Sequence, residues 1–307
     1  MNTPAPLLTL RDTVHDMLLG VTPERADELQ RYWDDFGLQI QILGDYGPDG
    51  PVVLDAGGYV LIRFNHRLMR LFWLASFALW EGYVAYQHYV TTGETNVTRF
   101  MEILDCFEAT RVAADVDAVP WPANLPLPGE LVDHVPDDSG RVGGELAIFA
   151  VGWAVLHEMQ HLLHQQGGTA AAPDDVEACR REEHSCDAFA TNFLLARIAD
   201  QAGATGQSAA LIADKRQIGI YCGMFAMTLL SREDWGPGEQ HPALQERIDA
   251  IAAVMDAHGT SKVAAIIAVS AFVSLQLVLA DAPNPFEAVN LVALREAWHP
   301  DDPPFAE

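Results

Sequence analysis

The residues of this 307-residue chain best suited to chemistry are two histidines four residues apart and the glutamate that follows the first of them. In the run Val155–Leu163 they form the motif HExxH, with His157, Glu158 and His161. Residues four apart lie on one face of an α-helix, so both imidazoles can bind one metal ion. Glu158 lies about 100° round the helix axis, where it can reach a metal-bound water without being a ligand. This arrangement predicts a site for one Zn²⁺ with an open position and a carboxylate base, as in zinc hydrolases.

The sequence around the motif predicts a buried helix that ends soon after it. Leu146–Leu156 contains no charged residue and no proline, and Gly167–Gly168 follow the motif. Ionisable side chains on such a helix need a partner, and a metal ion is the simplest one. The alternative is a helix with two hydrogen-bonded histidines and a surface glutamate.

The next helical segment supplies candidates for the third protein ligand that a tetrahedral site requires. Glu183 and Asp187 are four residues apart, and the chain between His161 and Glu183 is long enough to turn and run back antiparallel. We predict Glu183 as the ligand and Asp187 as the acceptor of a ring N–H from a ligand histidine. An ordinary acidic helix face is the alternative. Three residues of the same segment compete for the ligand role: Glu177, Glu182 and His184.

These motifs resemble those of known peptidase families. HExxH followed by ExxxD at Glu183–Asp187 and the run Ala188–Ala190 is similar to the gluzincin metallopeptidases. The residue patterns at Gly152–Glu158 and Glu183–Thr191 most resemble those of the Lit-type phage-exclusion peptidases, with the ImmA/IrrE-type peptidases as second choice. The resemblance implies a zincin-like core and an intracellular proteolytic role with a narrow protein target.

The resemblance also implies roles for individual residues. Zinc would be bound by His157, His161 and Glu183, with Glu158 as general base. In several gluzincins a downstream side chain polarises the substrate carbonyl, and His241 is the tentative candidate here. Arg247 would either assist it or brace a carboxylate of the site. A surface histidine before a helix-starting proline is an equally good interpretation of His241.

Composition and charge indicate which partners and which cellular compartment suit this chain. The chain is 50% hydrophobic with a net charge of -25 and a pI of about 4.6, which argues against nucleic acid as a partner. Met1–Thr13 has no basic or apolar run typical of a signal peptide, and the four cysteines follow no disulfide spacing. We therefore expect a cytoplasmic protein, and the resemblance implies that it acts on a protein or peptide substrate. Cys179 and Cys186 flank Glu183, but small core residues are the favoured interpretation of both.

The pattern of elements predicts a predominantly helical α+β fold. Residues 1–66 are expected to form a helix and a small antiparallel sheet packed on the core, and residues 67–307 a helical zincin-like metallopeptidase domain. The predicted strands are Leu38–Ile42, Val52–Leu54 and Tyr59–Phe64. The predicted helices outside the motif are Glu24–Phe36, Leu68–Val90, Thr95–Ala114, Ser208–Leu230 and one opening at His241–Arg247.

Two segments leave alternatives open. Ala118–Arg141 is rich in proline and glycine and predicts a long loop, either a frame or lid of a substrate groove or a plain connector. Val263–Ala280 is apolar enough for a short membrane span, but a core helix is favoured because an aromatic belt is missing. For the whole chain, the rival of a zinc peptidase is a non-catalytic, zinc-stabilised helical protein that binds or regulates a partner.

Overall fold

Helices dominate the structure, a computed structural model that describes residues 14–45, 47, 50, 52–57, 60–94, 96–128, 138–232, 234–238, 240–279 and 282–285. The described helices are α1 (residues 14–21), α2 (Ala26–Phe36), α3 (His66–Thr92), α4 (Thr98–Val112), α5 (Asp138–Gly167), α6 (Val176–Leu195), α7 (Ile198–Thr205), α8 (Ala209–Leu230), α9 (Leu244–Ala257) and α10 (Lys262–Val278). The prediction of a missing signal peptide concerns Met1–Thr13, which lie outside the described residues.

A three-stranded sheet precedes the helical body, as predicted, but it is mixed rather than antiparallel. Its strands are β1 (Gln39–Leu43), β2 (Leu54–Gly57) and β3 (Leu61–Asn65), in the order β1-β3-β2. The short β2–β3 connection makes these neighbours antiparallel, whereas β1 runs parallel to β3 on its other side. β3 takes the centre because it carries the most buried side chains, Ile62 and Phe64. This order leaves β2 as an edge strand.

Helix α5 is the central element, and it contacts the sheet as well as α3, α6 and α8. Its aromatic side chains Phe149 and Trp153 pack on Gly219 and Gly223 of α8, where a Cβ atom would collide with them. At Gly223 a Cβ would lie 2.9 Å from the Trp153 ring. The two helices therefore approach closely because glycines stand opposite the aromatic rings. Gly168, with φ +66°, ends α5 in the left-handed conformation, as the sequence predicted.

The two apolar helices are packed within the fold. Among the described residues, one helix, α5 over Gly140–Gly167, has the length and composition to cross a membrane, and 67% of its most apolar window is buried. The shorter α10, predicted at Val263–Ala280, packs against α3 and α8. Its Ser274 hydroxyl donates to the Gly82 carbonyl at 2.8 Å. Burial of this kind is typical of core helices.

The structure corrects several predicted boundaries. The predicted loop Ala118–Arg141 is shorter, because α5 begins at Asp138. Helix α9 begins at Leu244 rather than at His241, since Ala243 has an extended backbone at the cap position. Helix α7 was not predicted, and none of its residues is buried, so it shows no apolar periodicity.

The described part of the loop before α5 packs on α3 and α4. Trp73 of α3 donates its indole N–H to the Pro126 carbonyl at 2.8 Å. Arg99 of α4 donates to the Ala123 carbonyl at 2.6 Å. Residues 119–128 therefore pack on α3 and α4, and residues 129–137 lie outside the described chain.

Candidate metal centre

The HExxH histidines meet side chains of the following helix, as the spacing predicted. Helix α5 presents His157 and His161 one turn apart, and α6 packs against it. The Nε2 atoms of the two rings are 3.2 Å apart. Two ring nitrogens at this separation need a proton or a cation between them.

Each histidine is held through its other ring nitrogen by a carboxylate. The Nδ1 atom of His157 lies 2.8 Å from Asp187 Oδ1, and that of His161 lies 2.7 Å from Glu182 Oε1. Because a carboxylate accepts hydrogen bonds, both Nδ1 atoms carry the proton and both Nε2 atoms face the shared space. The contact of Asp187 follows the prediction. Glu182 was considered only as a competing ligand, and it contacts the outer nitrogen of His161 instead.

Glu183 lies where both Nε2 atoms point. Its Oε2 is 3.5 Å from Nε2 of His157, and its Oε1 is 3.3 Å from Nε2 of His161. Zinc–ligand bonds of 2.0–2.1 Å in a tetrahedron imply ligand–ligand distances of about 3.3 Å. The buried Oε2 atom accepts no hydrogen bond within the described chain. The three side chains therefore match the donor set and spacing of a zinc site.

Cys186 is a second candidate for the third ligand. His157, His161 and Cys186 each offer a ligand atom, and these three atoms lie within 4.8 Å of one another, so the group could hold a metal ion. Cys186 is fully buried. Burial and the neighbouring carboxylates, first among them Glu183, raise the pKa of its thiol well above the ordinary value. Sequence reasoning had placed Cys186 in the core and had not brought it to the histidines.

Arg247 contacts the carboxylates of both Asp187 and Glu183. It donates two hydrogen bonds to Asp187, at 2.9 and 2.8 Å, and its third nitrogen lies 3.3 Å from Glu183. Of the two roles considered for Arg247, bracing fits these contacts. His241, with a side chain 61% exposed, lies 3.2 Å from Glu183 through Nδ1.

The remaining competitors lie away from the two Nε2 atoms. The side chain of Glu177 is 72% exposed and lies 3.5 Å from Arg180. His184 instead contacts Glu246 of α9 at 3.2 Å.

Glu158 points from α5 towards the edge strand. Its Oε2 accepts the backbone N–H of Ala56 at 2.7 Å, and the Ala56 carbonyl accepts from Gln165 at 3.4 Å. Burial raises the pKa of Glu158, although the two histidines and the Ala56 amide act in the opposite direction. A carboxylate with a raised pKa is a better proton acceptor than an exposed glutamate. No sequence motif predicts the contact with Ala56, because its donor is a backbone amide.

The histidines and carboxylates of this group shift one another's pKa values. Burial alone would lower the pKa of His157, but the hydrogen bond to Asp187 outweighs it and raises the pKa to about 10. Burial alone would raise the pKa of Glu183, but the neighbouring His157, His161, His241 and Arg247 hold it well below its ordinary value. A metal cation would replace the proton between these groups.

A cavity of about 640 Å³ opens onto these residues. It is lined by His157, Glu158, His161, Glu183 and His241, together with β2 and apolar side chains of α3, α5 and α8. Its volume lies within the range of ligand-binding sites. A substrate therefore has access to the histidines and to Glu158 from one side.

Known proteins resemble the chain over most of its length. The family described as Peptidase U49 matches residues 62–267, a range that begins within β3 and contains every residue of the metal centre. The Cell death peptidase of Escherichia coli (strain K12) is 21% identical over 254 residues, which cover 80% of this chain and 80% of that protein. No solved structure matches the chain significantly.

Proposed function

The chain belongs to the peptidase U49 family, and on this premise we propose that it is a zinc-dependent metallopeptidase that cleaves an intracellular protein substrate. The similarity to a Cell death peptidase supports the resemblance to the Lit-type peptidases at the level of peptidase activity. We extend the proposal beyond peptidase activity to a bound zinc ion, to roles for the site residues and to a cytoplasmic location.

The observation that carries the proposal is the convergence of His157, His161 and Glu183. Two Nε2 atoms and a carboxylate lie at mutual distances of 3.2 to 3.5 Å, and both Nδ1 atoms are held by other carboxylates. Imidazole nitrogen together with carboxylate oxygen is a donor set that suits zinc. Such a set leaves a fourth position for water or substrate, which a catalytic site needs.

We assign the third ligand to Glu183 rather than to Cys186. The carboxylate of Glu183 contacts both Nε2 atoms directly. A cysteine ligand must be a thiolate, and the raised pKa of Cys186 disfavours that form beside several carboxylates. Cys186 would then remain a neutral thiol close to the two histidines.

The chemistry of cleavage is divided between the metal and the residues around it. When bound, zinc supplies the Lewis acidity that lowers the pKa of water and polarises a carbonyl. The Oε2 atom of Glu158 accepts from the Ala56 amide, so Oε1 removes the proton from the attacking water. Glu158 then delivers this proton to the leaving amine. His241, at the open side of the cavity, is placed to donate to the carbonyl oxygen of the substrate.

The edge strand β2 supports an extended peptide as the substrate. In an antiparallel pair, alternate residues direct their backbone groups away from the partner strand. Ala56 directs its N–H and carbonyl towards α5, so Leu54, two residues earlier, faces the same cavity. A peptide chain can pair with such an edge through main-chain hydrogen bonds.

The experiment that tests the proposal combines metal analysis with cleavage. Purified protein should contain about one zinc per chain by elemental analysis. Zinc-loaded protein should cut peptides in a proteome-derived library, with cleavage sites read by mass spectrometry. The Glu158→Gln variant should keep zinc and lose cleavage by orders of magnitude, because Gln cannot accept the proton. Zinc without cleavage by the wild type would favour the non-catalytic zinc protein instead.

A further inference from the structure

A cavity of about 230 Å³ lies between α1, α5, α7 and α8, and we name it the α7 cavity. It shares no lining residue with the cavity at the metal centre. Its apolar lining includes Val21, Ile148, Phe149 and Ile212. Val21 and Ile212 are buried, whereas Ile148 and Phe149 are half-buried and pack against the core. This part of the α7 cavity can shelter an aliphatic or aromatic group from water.

Close packing on glycines fixes the apolar wall of the α7 cavity. Phe149 rests on Gly219 of α8, where a Cβ atom would collide with its side chain. Val21 rests in the same way on Gly152 of α5. Neither side chain can move far without separating two packed elements. A ligand therefore meets a preformed wall, and little entropy is lost in ordering it.

The polar lining of the α7 cavity includes an almost fully buried arginine with free donors. The side chain of Arg216 is 2% exposed. Its Nη1 donates to Glu24 and to the Leu194 carbonyl at 2.7 and 2.8 Å, and its Nη2 donates to the other oxygen of Glu24 at 2.8 Å. The Nε–H group and the second N–H of Nη2 have no acceptor among the described residues. These two groups lie on one edge of the guanidinium, where they form a fork that matches a carboxylate.

A second pair of charges borders the α7 cavity. Lys215 Nζ donates to Glu145 Oε2 at 3.0 Å, and the two side chains are 45% and 38% exposed. An ion pair this exposed adds little stability, so a ligand can separate it at small cost. Together with Arg216 and Glu24, the pair gives two positive and two negative charges. A ligand that carries one charge of each sign therefore complements the site.

We propose that the α7 cavity binds a free α-amino acid with a large apolar side chain. The ligand carboxylate would accept from the Nε–Nη2 fork of Arg216 and from Lys215, and the ligand ammonium would donate to Glu145. The ligand side chain would lie against Phe149 and Ile212. The volume is below that of sites for drug-sized ligands, which suits a molecule as small as an amino acid. This site is additional to the proposed peptidase function, because none of its residues belongs to the metal centre.

Binding of amino acids to the purified full chain tests the proposal. L-Leucine, L-phenylalanine and glycine are titrated by calorimetry. Leucine and phenylalanine should bind with a Kd below about 1 mM, and glycine at least about tenfold more weakly, because it lacks the apolar side chain. N-acetyl-leucine lacks the ammonium and leucinamide lacks the carboxylate. Each should bind at least about tenfold more weakly than leucine, because one charged hydrogen bond is lost.

Two glycine variants locate the bound amino acid. Gly20 borders the α7 cavity and has nothing within 4 Å of its Cβ position, so Gly20→Leu can fill the cavity without strain and should abolish leucine binding. Gly203→Leu is the matched control, because Gly203 of α7 is equally open and does not line the cavity. It should bind leucine like the wild type. Circular dichroism verifies that both variants fold.

A charge variant tests the assignment of the ligand ammonium. Glu145→Gln should weaken leucine binding at least about tenfold, because the ammonium loses its charged acceptor. It should not weaken the binding of N-acetyl-leucine, which has no ammonium to pair. Equal losses for both ligands would overturn the assignment to Glu145.

Other outcomes would overturn the site itself. Wild-type protein that shows no saturable binding of leucine or phenylalanine, or that binds leucine and glycine equally, has no such site. Leucine binding that persists in Gly20→Leu would place the amino acid elsewhere, for example at the metal centre. None of these results depends on peptide cleavage, so the proposed function stands or falls separately.

Discussion

His157 and Asp187 form a buried hydrogen bond of 2.8 Å that directs the Nε2 atom of the imidazole towards Glu183. Asp187 is itself held by Arg247 through two hydrogen bonds. The pKa of Asp187 is lowered because the charges and hydrogen bonds of Arg247 and His157 outweigh its burial, so the carboxylate stays charged. An arginine on α9 thus fixes the orientation of His157 on α5 through a carboxylate on α6.

Asp187→Asn should weaken zinc binding by about 10- to 100-fold, because Asn cannot offer a charged acceptor to His157 Nδ1. Competition with a chromophoric chelator measures this affinity. Asp200→Asn, on the exposed helix α7, serves as the matched control and should bind zinc like the wild type. Equal affinity for zinc in the Asp187 variant would mean that His157 is oriented by packing alone.

Glu183→Ala should lose zinc, whereas Cys186→Ser should keep about one zinc per chain. The reason is that Glu183 contacts both Nε2 atoms, while the Cys186 thiol is buried in its neutral form. Elemental analysis after gel filtration reads the result, with Glu177→Ala on the same helix as the control. The opposite outcome, zinc kept in the Glu183 variant and lost in the Cys186 variant, would assign the third ligand to the thiol.

Much of the site followed from spacing within helices. Residues four apart on α5 and on α6 share a face, so the sequence alone predicted that His157 and His161 would meet Glu183 and Asp187. The contact between His161 and Glu182 did not follow, because it depends on the angle at which α6 crosses α5. Neighbouring residues such as Glu182 and Glu183 point in directions about 100° apart, and only the packed helices show which one reaches which nitrogen.

Contacts between distant elements were harder to predict. Alternation in Leu38–Ile42 predicted a strand, but the sheet order depends on which strand is buried on both sides, and β3 takes the centre. The Ala56 amide reaches Glu158 only because β2 is thereby left at the edge. A backbone donor carries no signature in the side-chain sequence, so no motif could have revealed this contact.

Zinc affinity should rise with pH between about pH 6 and 8. The hydrogen bond to Asp187 raises the pKa of His157 to about 10, and the pKa of His161 is also raised, because the hydrogen bonds that it donates to Glu183 and Glu182 outweigh burial. Both rings are therefore protonated at the acid end of this window and must lose a proton to bind zinc. Each proton displaced contributes about a tenfold change in affinity per pH unit.

The pH dependence is measured by repeating the chelator competition at several pH values with a correction for the chelator. Proton release counted by calorimetry in two buffers of different ionisation enthalpy provides a second readout. An affinity that does not change over the window would show that the histidines are already neutral before zinc binds.

Gly223→Ala should destabilise the fold by about 1–3 kcal/mol, because the new Cβ would lie 2.9 Å from the Trp153 ring and must displace it. Gly203→Ala is the matched control, since Gly203 lies in helix α7 with nothing within 4 Å of its Cβ position. Alanine there should stabilise by about 0.5–1 kcal/mol, as in any exposed helix. Urea unfolding followed by circular dichroism compares the two variants, and equal stability of both would mean that α5 and α8 can separate to accept the methyl group.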